Sequence, residues 1–338
     1  MKIAFLPLGT ETAPSSRIRI FTLHRALVRG GVDSAIGYHP DADVVCIQKK
    51  VNREIFSLAQ QAKRAGKLVV YDVDDFGDAL DYCCSPRYLR KMLKLAHLVT
   101  TDTLGHLSYL VDNFGNENIF IVPDCVDYFP ERCVRPAPAS DGELRILWFG
   151  SIRNIFLFEK YAAVLSSIPH TKIVVATAID AELQQKYPEI EFVPWSLDGF
   201  VDILQGCHLS CLMHDGSEID KAKSNNKMIT SIAWGVPAVV SDTPDYARTA
   251  AELGVEYATF SGIDDLKDAV ELLRHRDQRD NYLETVQDMV WAKYSPDAIK
   301  DVFLALVERK LRDLPVLTQS PLASLYDVIS KFCQSKFN

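Results

Sequence analysis

Apolar residues in the first part of the chain fall into blocks of two kinds. Short, nearly unbroken runs read as buried strands: Lys2 to Leu8, Asp43 to Ile47, Lys67 to Tyr71, Leu98 to Thr101 and Ile119 to Val122. Between them lie stretches whose apolar residues recur at helical spacing. These are Arg17 to Arg29, with Ile18, Phe21, Leu23, Ala26 and Leu27, then Arg53 to Ala65, Pro86 to Ala96, and Leu104 to Asn113. Gly30-Gly31, Gly66 and Gly115 stop three of these helices. Strands apolar on both faces, alternating with helices, predict a parallel sheet covered on both sides.

The pattern breaks at Pro130 to Gly142, which holds three prolines and almost no large apolar residue, and reads as a linker. It then restarts. Leu144 to Phe149, Lys172 to Ala176, Ile190 to Val193, His208 to Met213 and Pro237 to Val240 read as strands. Phe156 to Ile168, Ala181 to Lys186, Gly199 to Gln205, Lys227 to Trp234 and Ile263 to Arg274 read as helices, and Pro296 to Leu311 as a long amphipathic one. The expected organisation is a Rossmann-like domain over 1–135, a second over 143–295, and a helical segment over 296–338 that packs back on the first. The last expectation rests on Phe303, Leu304, Leu306 and Val307, which need an apolar surface.

Composition agrees. A length of 338 residues suits two domains at ~100–200 residues each. With 48% hydrophobic and 24% charged residues, a mainly disordered chain is excluded. The net charge of −8 disfavours a nucleic-acid partner while leaving room for a local basic pocket. No apolar run approaches the ~20 residues of a membrane span, and the N-terminus reads as a strand rather than a signal peptide. Peripheral contact with a membrane stays open. The eight cysteines are scattered without a Cys-x-x-Cys pair. Cys207 and Cys211, near His208 and His214, read as strand thiols rather than a metal site. Free thiols imply the cytoplasm.

The strongest local signal is Lys221 to Ser241. A donor-rich loop with Lys223, Ser224, Asn225 and Asn226 runs into a helix start at Lys227, and the strand after Gly235 is buried. A helix N-terminus offers free N–H groups and a positive dipole end, and two lysines add full charges, a setting that suits a diphosphate. The segment Lys-Ser-x-Asn-Lys, then a helix, then Ala-x-Gly-Val-Pro-x-Val-x-Ser resembles the donor-site segment of GT-B glycosyltransferases, above all the retaining, family 4-like nucleotide-sugar enzymes. Trp148-Phe149-Gly150-Ser151-Ile152-Arg153-Asn154 stands where that family has an aromatic-Gly-Ser or Gly-Gly strand–loop near the donor diphosphate.

The resemblance implies a GT-B fold of two Rossmann-like domains facing a cleft, with a last helix crossing back to the first. It implies a nucleotide diphosphate sugar on the second domain, an acceptor on the first, and retention at the anomeric carbon. Gly150, Ser151, Asn154, Trp195, His214, Lys223, Ser224, Asn225 and Asn226 are the candidate donor residues, with Trp195 placed for the nucleotide base. Arg153 and Lys227 are the candidates for stabilising the leaving diphosphate. The family usually has a Glu on the donor ribose five residues before the Gly of Gly-x-Pro. Here that position is Thr230, which puts the donor contacts in question.

In the first half, Gly9, Thr10, Ser15, Ser16 and Arg17 link a strand to a helix at the carboxyl end of the sheet, where open α/β folds bind ligands. In GT-B enzymes that loop faces the cleft. Capping of the helix by Ser15 or Ser16 is the structural alternative. Asp72-Val73-Asp74-Asp75 crowds carboxylates after a strand. Asp74 and Asp75 read either as groups for sugar hydroxyls and base chemistry in a metal-free cleft or as an Asp-x-Asp metal site, and the two-domain pattern favours the first. No cofactor and no metal are expected. A sugar-nucleotide epimerase of the same fold and a non-catalytic nucleotide-sugar-binding protein are the alternatives.

Overall fold

The computed structural model describes residues 1–75, 83–115, 118–127 and 142–314. The Pro130 to Gly142 linker, except Gly142, and residues 315–338 of the expected C-terminal segment lie outside the described residues.

The first half runs β1 (Lys2–Leu6), α1, β2 (Asp33–Ile36), β3 (Val44–Gln48), α2 (Arg53–Arg64), β4 (Leu68–Asp72), α3 (Pro86–Leu95), β5 (Leu98–Thr101), α4 (Leu104–Phe114) and β6 (Ile119–Ile121). Helix α1 has three consecutive parts: Pro14–Ser16, a π-helical Arg17–Phe21, and Thr22–Arg29. It starts three residues earlier than its apolar pattern does, because Pro14 fits the first helical position. The N-cap is Ala13, without a side-chain cap, so neither Ser15 nor Ser16 caps this helix. All strands pair in parallel, in the order β2-β1-β3-β4-β5-β6.

The second half runs β7 (Leu144–Phe149), α5 (Ile155–Ser166), β8 (Thr171–Thr177), α6 (Ala181–Lys186), β9 (Glu191–Pro194), α7 (Phe200–Gln205), β10 (Leu209–Leu212), α8 (Glu218–Lys221), α9 (Asn226–Ala233), β11 (Ala238–Ser241), α10 (Pro244–Leu253), β12 (Thr259–Phe260), α11 (Ile263–Leu272), α12 (Arg276–Tyr294) and α13 (Pro296–Arg312). Its parallel sheet has the order β12-β11-β10-β7-β8-β9. Sequence pattern misses β2, the short α8, α10, β12 and α12. The edge strands are short, and α12 opens with the wholly polar Arg276 to Asn281, which hides the later Tyr282, Leu283, Val286 and Val290 stripe.

The cores explain the architecture. One cluster fills the second domain, including Trp148, Phe158, Met228 and Tyr282. Two others cover the two faces of the first sheet. Ile299, Phe303 and Val307 of α13 belong to the core of the first domain, with the Phe303 ring 5.9 Å from that of Phe5. Their burial against residues far upstream makes α13 the returning element. The chain also crosses near Val126, whose N–H donates to the Tyr294 carbonyl at 2.9 Å.

Candidate active site between the two domains

The carboxyl ends of the first sheet carry a dense set of buried charges. Arg19 donates to both carboxylate oxygens of Asp72, at 2.8 and 2.6 Å, and to Asp124 at 2.9 Å. Thr100 adds a bond to Asp72 at 2.7 Å. Burial opposes the charge on Arg19, but the carboxylates overcome it and raise the guanidinium well above its ordinary value. Arg17 makes a two-pronged pair with Asp127, at 2.9 and 2.8 Å, with 3% and 4% of the two side chains exposed. Such forked pairs hold both partners in one geometry. Lys49 pairs with Asp74 at 3.0 Å and with Asp75 at 2.5 Å. Burial pushes the Asp74 carboxyl up to about 7, against the pull of Lys49. Its Oδ1 is buried and has no hydrogen-bond partner among the described residues. The three carboxylates of the 72–75 cluster thus have distinct surroundings: Asp72 is locked on Arg19, Asp74 is half-satisfied, and Asp75 reaches the cleft.

The loop expected to touch a ligand is partly closed on itself. Ser16 is buried, donates to Gln48 at 2.9 Å and accepts from the Gly9 N–H at 3.0 Å. Thr10 is exposed and meets Thr12, and Ser15 is half-buried. Arg17 is held by Asp127 and lies 5.6 Å from the centroid of the Trp195 ring of the other domain. The polar atoms of Ser16 and Arg17 are thus engaged by protein partners in a buried setting, where they brace the framework of the loop.

The facing wall is different. Lys227 lies in the first turn of α9, half-buried, with its ammonium 5.8 Å from the Trp148 ring centroid and 5.7 Å from that of Phe149. Among the described residues no carboxylate lies within ion-pair distance of it. Burial, then the neighbouring Lys223, pushes it down to about 8. Gly150 explains its position: a β-carbon there would stand 3.1 Å from the Trp148 ring and 3.2 Å from Nζ of Lys227. The absence of a side chain leaves the strand end open for close approach. Ser151 caps the short 3-10 turn Ile152–Asn154 through the Arg153 N–H, and Ser151, Arg153 and Asn154 are all exposed. The first N–H groups of α9 have no intrahelical acceptor and give this wall a positive end. Lys223 reaches across the cleft to Asp75 at 3.6 Å.

Other donor candidates are turned into structure. Asn225 is buried, with its N–H on Asp245 at 2.8 Å and its side-chain amide on Thr249 at 2.8 Å. Ser224 donates to Asp124 at 2.6 Å, and Asn226 donates to the Cys125 carbonyl at 2.7 Å. Thr230 is buried and accepts from the Asp127 N–H at 3.0 Å. Ser224, Asn226 and Thr230 thereby fasten one domain to the other, and Asn225 braces the loop on α10, so the polar groups of all four are committed to protein partners. His214 is packed at 5.3 Å on Tyr246 and 3.3 Å from Asp220; burial pushes its imidazole down. Gly105 of α4 completes the closure, since a β-carbon there would meet the Ala222 backbone at 2.8 Å.

Sequence reasoning missed Arg19, Lys49, Asp124 and Asp127. The available signal was position: Arg19 stands on the first helix, Lys49 directly after β3, and Asp124 and Asp127 in the segment that follows β6, all at the ligand-binding end of an open parallel sheet. Among the described residues there is no cluster of three or more metal-ligating side chains, and no helix is long and apolar enough to cross a membrane.

No protein-family model matches the chain, and no curated protein matches it. Solved structures do. A glycosyltransferase from Rickettsia africae superposes with a TM-score of 0.65 at 11% identity, over 92% of this chain and 99% of that one. HepE from Anabaena, solved with UDP and glucose, gives 0.62 at 12% identity, over 91% and 99%. TarM from S. aureus gives 0.58 at 12% identity over 78% of this chain; the match spans 55% of TarM, about half its length. The chain has the two-domain GT-B fold of these enzymes.

Proposed function

We propose that the protein is a glycosyltransferase that moves a sugar from a nucleoside diphosphate sugar to an acceptor. The observation that carries this reading is the Lys227 ammonium, without a carboxylate partner among the described residues, beside Gly150 and the start of α9. It offers a full charge, helix amides and open backbone at one spot, a combination that suits a diphosphate. The solved fold neighbours support the donor class, HepE having been solved with UDP and glucose and another with thymidine diphosphate.

In this reading the bond between the anomeric carbon and the diphosphate oxygen breaks as the acceptor oxygen bonds to that carbon. Negative charge grows on the departing diphosphate, and Lys227, Arg153 and the first amides of α9 stabilise it. The acceptor lies against the first domain, where Asp74 and Asp75 are the groups for its hydroxyls. Retention of configuration comes from the sequence resemblance alone. The buried thiols suit a reducing compartment, and we read the protein as cytoplasmic.

The test is incubation with a panel of nucleotide sugars, following nucleoside diphosphate release and, once an acceptor is found, the anomeric configuration of the product by NMR. Release supports a transferase. Interconversion of the sugar without release identifies an epimerase, and binding without turnover a non-catalytic binder. Because Lys227 and α9 supply positive charge at the diphosphate, donor binding should be unchanged by a chelator. Loss of binding on chelation, restored by manganese, would revive the Asp-x-Asp metal reading.

A further inference from the structure

We propose that the outer face of α3 docks the protein on an anionic lipid surface. This helix reads Pro-Arg-Tyr-Leu-Arg-Lys-Met-Leu-Lys-Leu, with four cations and no acid, in a chain whose net charge is −8. At about 100° per residue, Arg87, Arg90, Lys91 and Lys94 fall within about 100° of arc on one side of the helix. All four are exposed. Leu89, Met92 and Leu93 occupy the other side and are buried in the core of the first domain. Among the described residues, none of the four cations has a carboxylate within ion-pair distance, whereas Arg248, Arg276, Lys293 and Lys300 of α10, α12 and α13 each have one.

What lies beside the cations is aromatic. The Lys91 ammonium is 5.5 Å from the Tyr88 ring centroid and 5.8 Å from that of Phe56 on the neighbouring α2. The Arg90 guanidinium is 5.9 Å from the centroid of Phe114. All three rings are half-buried. Cations beside an amphipathic tyrosine ring and two apolar phenylalanine rings combine charge and apolar surface as a membrane–water boundary does.

The shape also favours a lipid surface. The four charges sit on the outer side of the helix, and among the described residues they make no side-chain hydrogen bonds that would fix them around one small anion. A planar sheet of headgroups needs no such fixing, and four to eight basic residues on an amphipathic helix read as an anionic-lipid contact. A planar anionic sheet meets the outer face of this helix alone, whereas a long flexible polyanion would also run over the rest of a chain whose net charge is −8. The inference stands independently of the proposed sugar transfer.

The experiment is co-sedimentation of the full chain with phosphatidylcholine vesicles, with and without phosphatidylglycerol. The expected result is pelleting only with phosphatidylglycerol, weakened as salt is raised. Each cation near an anionic surface contributes about fivefold in partitioning, so Arg87→Glu/Lys91→Glu/Lys94→Glu should reduce binding by at least about a hundredfold. The neutral set Arg87→Gln/Lys91→Gln/Lys94→Gln should show a similar loss should charge reversal harm folding, which circular dichroism would reveal. Lys160→Glu/Lys267→Glu/Arg276→Glu changes the net charge equally on exposed sites of the other domain and should leave binding intact. Equal binding to both vesicle types, binding to neither, or equal loss in the α3 and control variants would each overturn the proposal. Retention on heparin or RNA without vesicle binding would overturn it as well, assigning the face to a soluble polyanion.

Discussion

The two walls of the cleft handle charge in opposite ways. On the wall formed by the first domain the buried charges are matched by others of the same domain: Arg17 with Asp127, Arg19 with Asp72 and Asp124, and Lys49 with Asp74 and Asp75. On the second domain Lys227 and Arg153 stand without carboxylates among the described residues, and Lys223 meets only Asp75, from across the cleft. Internally matched charges fix geometry but leave little field for a ligand. Unmatched cations raise the local potential and wait for an anion. The first wall is thus a frame of matched charges, and the second, with its unmatched cations, is fastened to it through Asp124–Ser224 and Asp127–Thr230.

The largest expected effect breaks the frame. Arg19→Met keeps much of the volume but leaves Asp72 and Asp124 buried without their cation, a change that should lower stability by about 3–5 kcal/mol. Urea unfolding measures it. Lys227→Met should leave stability unchanged or raise it, since the folded protein disfavours this charge. If the two variants were equally unstable, the contrast between the walls would be lost.

Next come the unmatched cations. A charge-assisted hydrogen bond contributes ~1.5–3 kcal/mol, so Lys227→Ala should weaken nucleoside diphosphate binding about ten- to a hundredfold by calorimetry. Lys223→Ala should do less, because Lys223 gives up its contact with Asp75 when it turns to the ligand. Equal affinity of wild type and Lys227→Ala would move the donor site elsewhere.

A smaller effect is expected at Gly150. The Trp148 ring is 2% exposed and has no room to yield, so a methyl group at Gly150 should displace the mobile end of Lys227 instead. Overpacking of this kind costs about 1 kcal/mol. Gly150→Ala should therefore weaken diphosphate binding roughly fivefold, and the loss should vanish when measured in a Lys227→Ala background.

The smallest effect is a pH dependence. The free Lys227 ammonium titrates at about 8, below its ordinary value, and a bound diphosphate raises it. Binding is then at full strength well below pH 8 and is lost as pH rises through 8 toward the value in the complex. Between pH 7 and 8.5 the protonated fraction falls about fourfold, and affinity should fall by about the same factor. Lys227→Ala should abolish this slope.

Much of the fold is legible in local sequence because its cause is local. Runs such as Leu68 to Tyr71 and Leu144 to Phe149 are apolar on both faces, and only a strand covered on both sides satisfies them. The start of α9 is legible for a similar reason: polar residues, then lysine, then an apolar helix within one short segment. The roles of the polar loop residues are not legible. Ser224, Asn226 and Thr230 look like ligand contacts in sequence, yet their partners Asp124, Cys125 and Asp127 come from about a hundred residues away.

The sequence by itself determined the alternation of strands and helices, the division into two sheets and the cationic loop before α9, since hydrophobic periodicity and helix-start chemistry act over a few residues. Only the tertiary structure decided which charges are matched. Pairing needs two side chains within a few ångströms: Arg17 meets Asp127 and Arg19 meets Asp124 only once the first sheet has formed, and Lys223 meets Asp75 only once the domains have closed. The same closure separated the framework residues from Lys227, whose availability is a property of what did not come near it.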